Sequence, residues 1–171
     1  QRGAEPPELM WLKNHLRQRL LARFDDLRRK TFFDLKRDDV RRVELRNTNG
    51  QQSILERQTS EEALSLVGLG DHEVVKTATV NTLLNTLTAL RAKTFEPKVR
   101  AKDVGLTEAA THELLVTRFD GSIAHLVLAA KPEGDVVFVR ALTGPLKGVI
   151  ATIPNFQALN LTKGRAQLVD P

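Results

Sequence analysis

The chain has few of the residues that most often carry covalent or metal chemistry. Its 171 residues include no cysteine and no tyrosine, and aromatic residues make up only 5% of the total. Without cysteine the chain forms no disulfide, has no thiol nucleophile and offers no thiolate to a metal. The few aromatic side chains are not interleaved with the basic residues of the predicted strands, so a base-stacking platform for nucleic acid is poorly supported.

The chain also lacks a long apolar run. No stretch approaches the roughly 20 residues that a membrane-spanning helix needs. Residues 1–7 have neither a starting methionine nor the apolar core of a signal peptide. We therefore expect this sequence to be a segment of a longer protein, and the missing span says nothing about how the parent is anchored.

Catalytic and metal-binding patterns are also missing from the sequence. His15, His72, His112 and His125 have no short ligand spacing, and the predicted sheet places the last two on one face, roughly 13 Å apart by strand rise. There is no Gly-x-Ser-x-Gly elbow and no phosphate loop. We therefore predict no catalytic residue, no cofactor, no metal and no enzymatic activity.

The positive charge is concentrated near the N-terminus. The net charge is +5, and residues 13–46 alone hold 12 Lys or Arg against 6 Asp or Glu. Such a segment is typical either of a solvated helix face or of contact with an anionic partner. The candidate residues for an anionic contact are Arg17, Arg23, Arg28, Arg29, Arg41 and Arg42.

An amphipathic helix is predicted at the start of this basic segment. Apolar residues recur there at steps of three or four, at Leu9, Leu12, Leu16, Leu20, Phe24 and Leu27. Because the stripe is long, we favour docking on this domain or a neighbouring one over a membrane surface. Phe32 and Phe33 are expected to anchor the helix. We divide the chain into a basic helical arm with its connector (residues 1–37) and an α+β domain (residues 38–171).

The stretch from residue 113 to 140 organises the predicted domain. Two β-prone runs flank Asp120–Gly121, and a third run follows a turn at residues 131–134. An Asp-Gly pair in this setting predicts a hairpin closed by a two-residue type I′ turn. The whole stretch is therefore predicted to form a three-stranded antiparallel meander.

A two-residue turn fixes which residues of the meander face each other. It pairs Leu115 with Leu126 and Val116 with His125. Since Leu115 and Val116 point to opposite faces and both are apolar, we expect another part of the chain to cover each face of the sheet.

The remaining elements complete an α+β fold. A first hairpin is predicted over residues 40–57 and a leucine-rich helix over residues 77–92, with Thr77 or Thr79 as its cap. An edge strand follows at residues 93–97, and the tail from Thr162 is expected to be loose. The sequence thus predicts a mainly antiparallel sheet of about six strands with one packed helix.

A family resemblance rests on these elements in order. They are Val80-x-x-Leu83-Leu84-x-x-Leu87-x-x-Leu90, Phe95, Asp103-Val-Gly-Leu106, the Asp120–Gly121 hairpin, Val137-Phe-Val139 and Val149-Ile-Ala-Thr-Ile153. Over residues 27–171 the chain resembles the bacterial domain of unknown function 4340. That family is associated with auxiliary proteins of gliding-motility-type ABC transporters.

The resemblance implies a function without catalysis. It points to an extracytoplasmic (periplasmic) interaction or structural domain of a membrane-anchored auxiliary protein in an ABC-type transport or motility system. The implied partners are proteins of a membrane assembly or a neighbouring repeat of the same chain. Two other classes stay open: a basic module that binds lipid head groups or nucleic acid, and an enzyme of unrecognised type.

Overall fold

The computed structural model describes residues 30–107 and 111–170. The predicted N-terminal helix, except for Lys30, lies outside the described residues, as do Arg17, Arg23, Arg28 and Arg29. From Thr31 onwards the chain forms one compact unit. Phe32 and Phe33 are buried in its core, as predicted for an anchoring connector.

Ten strands and two antiparallel sheets are present in the described residues. In chain order the strands are β1 (Val40–Arg46), β2 (Gln52–Glu56), β3 (Ser65–Leu66), β4 (Val74–Val75), β5 (Thr94–Phe95), β6 (Thr111–Arg118), β7 (Ile123–Ala129), β8 (Val136–Ala141), β9 (Ile150–Pro154) and β10 (Val169–Asp170). Eight strands form one sheet in the order β3-β2-β1-β6-β7-β8-β9-β5, and β10 pairs with β4. The predicted α+β class with a mainly antiparallel sheet is confirmed.

Three α-helices pack with this sheet. They are α1 (Thr77–Thr88), α2 (Asn155–Leu161) and α3 (Arg165–Leu168), and short 3-10 turns occupy Arg37–Asp39 and Ala101–Val104. The buried side chains of α1 belong to the same apolar core as those of the strands. None of the helices in the described parts of the chain is long and apolar enough to cross a membrane.

The predicted leucine-rich helix is confirmed, but it ends earlier than Ala92. Beyond Thr88 the chain turns to the connector: Phe32 N–H donates to the Leu90 carbonyl over 3.5 Å, and Thr31 forms a bridge with Arg91. The predicted threonine cap is wrong, because Lys76 is the capping position and makes no side-chain cap bond. Pairing with the connector therefore outweighs the helical pattern of residues 89–92.

Burial alternates along the long strands and defines two faces of the large sheet. The core face carries Val43, Leu45, Leu55, Leu114, Val116, Leu126, Leu128, Val137, Val139, Ala151 and Ile153, all of which are buried. The side chains between them form what we call the open face: Arg42, Glu44, Arg46, Ile54, Glu56, Glu113, Leu115, His125, Val127, Arg140 and Ile150. Most of these are half-buried.

The predicted register of the meander is wrong by one residue. Leu114 pairs with Leu126, and Leu115 pairs with His125. The loop has three residues, because Gly121 N–H donates to the Arg118 carbonyl and Arg118 N–H donates to the Ser122 carbonyl, each over 3.0 Å. Gly121 has φ +81° and no other residue type among the described residues has a positive φ, which excludes a type I′ turn at Asp120.

This loop is the three-residue type in which a left-handed glycine follows a tight turn. The Asp120 carboxylate supports it by accepting a hydrogen bond of 2.8 Å from Ser122 N–H. One extra loop residue exchanges the faces of one strand relative to the other. As a result Leu114, Val116 and Leu126 all lie in the core, and His125 lies on the open face.

The expected cover over both faces is therefore also wrong. Among the described residues the helices join the core face, and the open face is covered mainly at one end. There the 3-10 turn Ala101–Val104 and Gly105 approach β7: a methyl group on Gly105 would lie 3.9 Å from Ala129 Cβ. Leu106, which follows, is buried.

The C-terminal tail is ordered rather than loose. Leu168 is fully buried, its carbonyl accepts a 2.8 Å hydrogen bond from Lys76 N–H, and Asp170 forms a 3.0 Å ion pair with Lys76 Nζ. Two-residue strands such as β4 and β10 are too short to show a period of two. This is why the sequence predicted about six strands and one helix where the large sheet has eight strands and three helices pack in the domain.

A buried arginine joins the first hairpin to its surroundings. Arg57 is 6% exposed, and its guanidinium donates to the carbonyls of Val40 (2.7 Å), Ser60 (2.6 Å), Glu62 (3.1 Å) and Arg37 (2.5 Å). Burial lowers the pKa of Arg57. Four carbonyl acceptors compensate for removing this cation from water and fix the loop that leads to β3.

A glycine permits the connector to reach the domain. Gly144 has φ +79°, and a methyl group there would lie 2.9 Å from the Phe32 carbonyl oxygen and 3.2 Å from a carbon of the Phe33 ring. Gly121 has a similar φ of +81°, but nothing lies within 4 Å of the same position. The two glycines thus separate backbone strain from steric contact.

We predict that Gly144→Ala destabilises the domain more than Gly121→Ala. Gly121→Ala should lower the free energy of unfolding by about 1–2 kcal/mol, the usual cost of a left-handed alanine. Gly144→Ala carries the same strain and also pushes the connector away. Chemical denaturation of the two variants measures the difference, and equal losses would show that Phe32 and Phe33 do not pack as described.

Candidate binding site on the open sheet face

One rung of the open face crosses six strands and places opposite charges side by side. Cross-strand pairing links, in lateral order, Gln52, Arg46, Glu113, Val127, Arg140 and Ile150. Neighbouring strands lie about 4.8 Å apart. The rung therefore offers a cation, an anion, an apolar side chain and a second cation within a short distance.

Glu113 is the centre of a polar network on this rung. One of its carboxylate oxygens accepts from Arg46 Nη1 over 2.9 Å, and the other lies 3.1 Å from His125 Nε2. Glu113 and His125 are both largely buried, with side chains 26% and 20% exposed. Because both oxygens are engaged, the negative charge of Glu113 is offset within the network.

A second network occupies the neighbouring part of β1 and β2. Arg42 forms ion pairs of 2.9 Å with Glu44 and with Glu56. Arg41 is exposed and lies 4.0 Å from Glu56. Of the six arginines predicted to contact an anionic surface, these two are described, and Arg42 is already shared between two carboxylates. The proposed anionic contact of the six stays a prediction.

A cavity of about 530 Å³ lies over the end of the open face. Its lining includes three open-face side chains of the rung (Glu113, Val127 and Arg140), Arg46 at its edge, and Leu106 and Leu142 as apolar walls. Thr48, Thr107 and Thr111 contribute hydroxyl groups. Its volume is within the range of small-ligand sites in proteins, which is about 300–1,000 Å³.

Arg140 differs from the other arginines of this face. Its Nε atom is buried and has no hydrogen-bond partner. Within the described residues its guanidinium also forms no ion pair, although Arg42 and Arg46 do. Arginine is charged at every accessible pH, so the cavity holds one cation that the described residues do not neutralise.

A second cavity, of about 720 Å³, lies on the other side of the turn between β1 and β2. It is lined by His112, Glu73 and Arg165 among others, and Glu73 forms an ion pair with Arg165. His112 Nδ1 lies 3.3 Å from the Asn47 side-chain oxygen. Burial lowers the pKa of His112, so its neutral form is favoured.

The predicted placement of His112 and His125 on one face is wrong. His112 pairs with Leu128 and has the parity of the core face, whereas His125 pairs with Leu115 on the open face. In the parts of the chain that the structure describes, no group of three or more His, Asp or Glu side chains could hold a metal ion. That no metal, cofactor or catalysis is involved stays a prediction.

Comparison with protein families matches residues 2–109 to the family described as Domain of unknown function (DUF4340). This match covers more than half of the chain. The chain belongs to the DUF4340 family. The resemblance inferred from the sequence is confirmed at this level, and the family's description states no function. Curated proteins and solved structures gave no match.

The extent of the DUF4340 match differs from the predicted resemblance, which covered residues 27–171. The match runs across the predicted boundary at residues 37 and 38 and includes the basic arm. It ends before β6 is complete. The meander and Arg140 therefore lie outside the matched residues, and the family match does not bear on them.

Arg140 and the Glu113 network were missed by sequence reasoning. The pair Val127 and Arg140, and the pair Arg46 and Glu113, each come from different parts of the chain. Their proximity depends on two registers, and the sequence predicted one of the two wrongly. A signal was available: Arg140 is the only cation in an otherwise apolar run, 136–142, as expected for a strand with one half-exposed face.

We predict a pH effect on stability through His112. Its pKa is lowered from 6.5 in the folded state by burial, so the unfolded chain binds the proton more readily and stability falls as the pH drops below the unfolded value. The melting temperature of the chain should therefore decline more steeply between about pH 7.5 and 5.5 than that of His112→Gln. Thermal melts at several pH values measure this.

The matched control for this effect is His72→Gln, since His72 is exposed. Its melting curve should follow that of the unchanged chain at every pH. Parallel curves for His112→Gln and the unchanged chain would contradict the burial of His112.

Proposed function

We propose that this DUF4340 domain is a non-catalytic protein-interaction domain that docks through the open face of its large sheet. The observation that carries the proposal is the half-exposed state of this face over the central strands. A sheet that packs on one side commonly has an alternation of apolar and charged residues, with the charged side in water. Here apolar side chains such as Leu115, Val127 and Ile150 lie among the charged ones.

The composition of the open face suits a partner of mixed character. Its ion pairs are satisfied within the domain, as the Glu113 and Arg42 networks illustrate. A docking protein would therefore bury apolar surface without leaving these charges unpaired, which is the usual obstacle to burying a charged face. Protein interfaces typically combine such apolar contacts with a polar surrounding.

The wider setting follows the family resemblance. We infer an extracytoplasmic position, in a membrane-anchored auxiliary protein of an ABC-type transport or gliding-motility system. The partner would be a protein of that membrane assembly or a neighbouring repeat of the same chain. This setting is an inference from resemblance alone.

The alternative of a basic module that binds an anionic surface receives less support. Arg42 shares its charge between Glu44 and Glu56, so β1 offers little free positive charge. Binding of this kind would depend on the residues of the arm and would weaken steeply between about 50 and 200 mM salt.

A photo-crosslinking amino acid placed in the parent protein tests the proposal. Benzoylphenylalanine at Leu115 samples the open face, and the same residue at Leu159 is the matched control. Leu159 is 61% exposed on α2, among the helices. We expect crosslinks in native cells from position 115 to a subunit of an ABC-type transporter or to another repeat of the parent chain, and few from position 159.

The outcomes separate the alternatives. Crosslinks only from position 159 would overturn docking through the open face. Adducts with nucleic acid or lipid, sensitive to salt, would favour the anionic-surface alternative. Crosslinks from position 115 to a protein outside any transport or motility assembly would support docking but contradict the inferred setting.

A further inference from the structure

The 530 Å³ cavity over the open face contains an imbalance of charge. Two cations, Arg46 and Arg140, and one anion, Glu113, line it. Glu113 is already engaged by Arg46 and His125. Arg140 is left with a buried Nε that has no partner and, among the described residues, with no ion pair.

A buried donor without an acceptor is unusual in folded proteins, and each one calls for an explanation. The guanidinium of arginine is a planar fork of donors that matches a carboxylate with two parallel hydrogen bonds. Arg140 is therefore placed to receive an anion that the described part of the chain does not provide.

The rest of the lining indicates what kind of anion fits. Val127, Leu106 and Leu142 form apolar walls, and Thr48, Thr107 and Thr111 supply hydroxyls. Apolar walls favour a ligand with a hydrocarbon body. The nearby carboxylate of Glu113 disfavours a doubly charged group such as phosphate, since like charges repel.

We propose that this cavity binds a carboxylate attached to an apolar body, with Arg140 as the residue that holds the carboxylate. Val127 and Leu106 contact the body of the ligand, and the threonine hydroxyls donate to the second carboxylate oxygen. The proposal goes beyond the interaction function above and holds whether or not the open face docks a protein. The carboxylate could belong to a small organic acid or to the C-terminus of a peptide.

The test is an NMR titration of the ¹⁵N-labelled chain with matched probes. Sodium hexanoate is compared with hexanamide, which has the same body without the charge. N-acetyl-alanyl-leucine is compared with its C-terminal amide, and inorganic phosphate is the non-carboxylate anion. We expect saturable shifts of the Thr111, Val127 and Arg140 amides with a carboxylate probe and none with the amides.

The source of the carboxylate follows from which probe binds. Saturation by hexanoate alone indicates a small acid, and saturation by the acetylated dipeptide alone indicates a peptide C-terminus. Either result supports the proposal. It is overturned if no carboxylate saturates at millimolar concentration, if the amides bind equally well, or if phosphate binds more tightly than the carboxylates.

Arg140→Gln tests the role of the guanidinium. It should weaken carboxylate binding about tenfold or more, as expected for loss of a charged hydrogen bond. The matched control is Arg118→Gln, because Arg118 is also half-buried with an unpartnered Nε but lines a different cavity. Equal binding by the Arg140→Gln variant and the unchanged chain would overturn the proposal.

A second variant protects the test against a folding defect in Arg140→Gln. Val127→Phe keeps a β-prone residue on β7 and fills the cavity floor. It should abolish the hexanoate shifts while the thermal melt stays cooperative. Retained hexanoate binding in the folded Val127→Phe variant would place the ligand elsewhere and contradict the proposed site.

Discussion

The three-residue loop between β6 and β7 is the constraint on which the rest of this fold depends. Side chains alternate across a strand, so a change of one residue in the loop moves every side chain of β7 to the other face. The left-handed Gly121 and the hydrogen bonds between Arg118 and Ser122 fix the loop length. The composition of the core, the position of His125 and the open face all follow from it.

Much of the architecture could be predicted because it is local. The helix α1 has apolar residues at helical spacing, and the two hairpins have turn residues between β-prone runs. The predicted edge strand at residues 93–97 corresponds to β5. These elements are each specified within about 15 residues of sequence, and the α+β class follows from their order.

The rest depended on pairings between distant residues. An Asp-Gly pair is compatible with two-residue and three-residue loops, so the register could not be decided from those two residues. The ordered tail depends on Leu168 filling the core and on pairing with β4, which is more than 90 residues earlier. The cavity with Arg140 requires three correct registers, from β1 to β8, and so was beyond sequence reasoning.

A disulfide across the meander tests the register most directly. Leu115 and His125 face each other, and opposite residues of antiparallel strands have a Cα separation that a disulfide can bridge. The chain has no other cysteine. Mild oxidation of Leu115→Cys/His125→Cys should give an intramolecular disulfide, seen by mass spectrometry, whereas Val116→Cys/His125→Cys, the pair that a two-residue loop would join, should stay reduced. A disulfide in the second variant and not in the first would contradict this account.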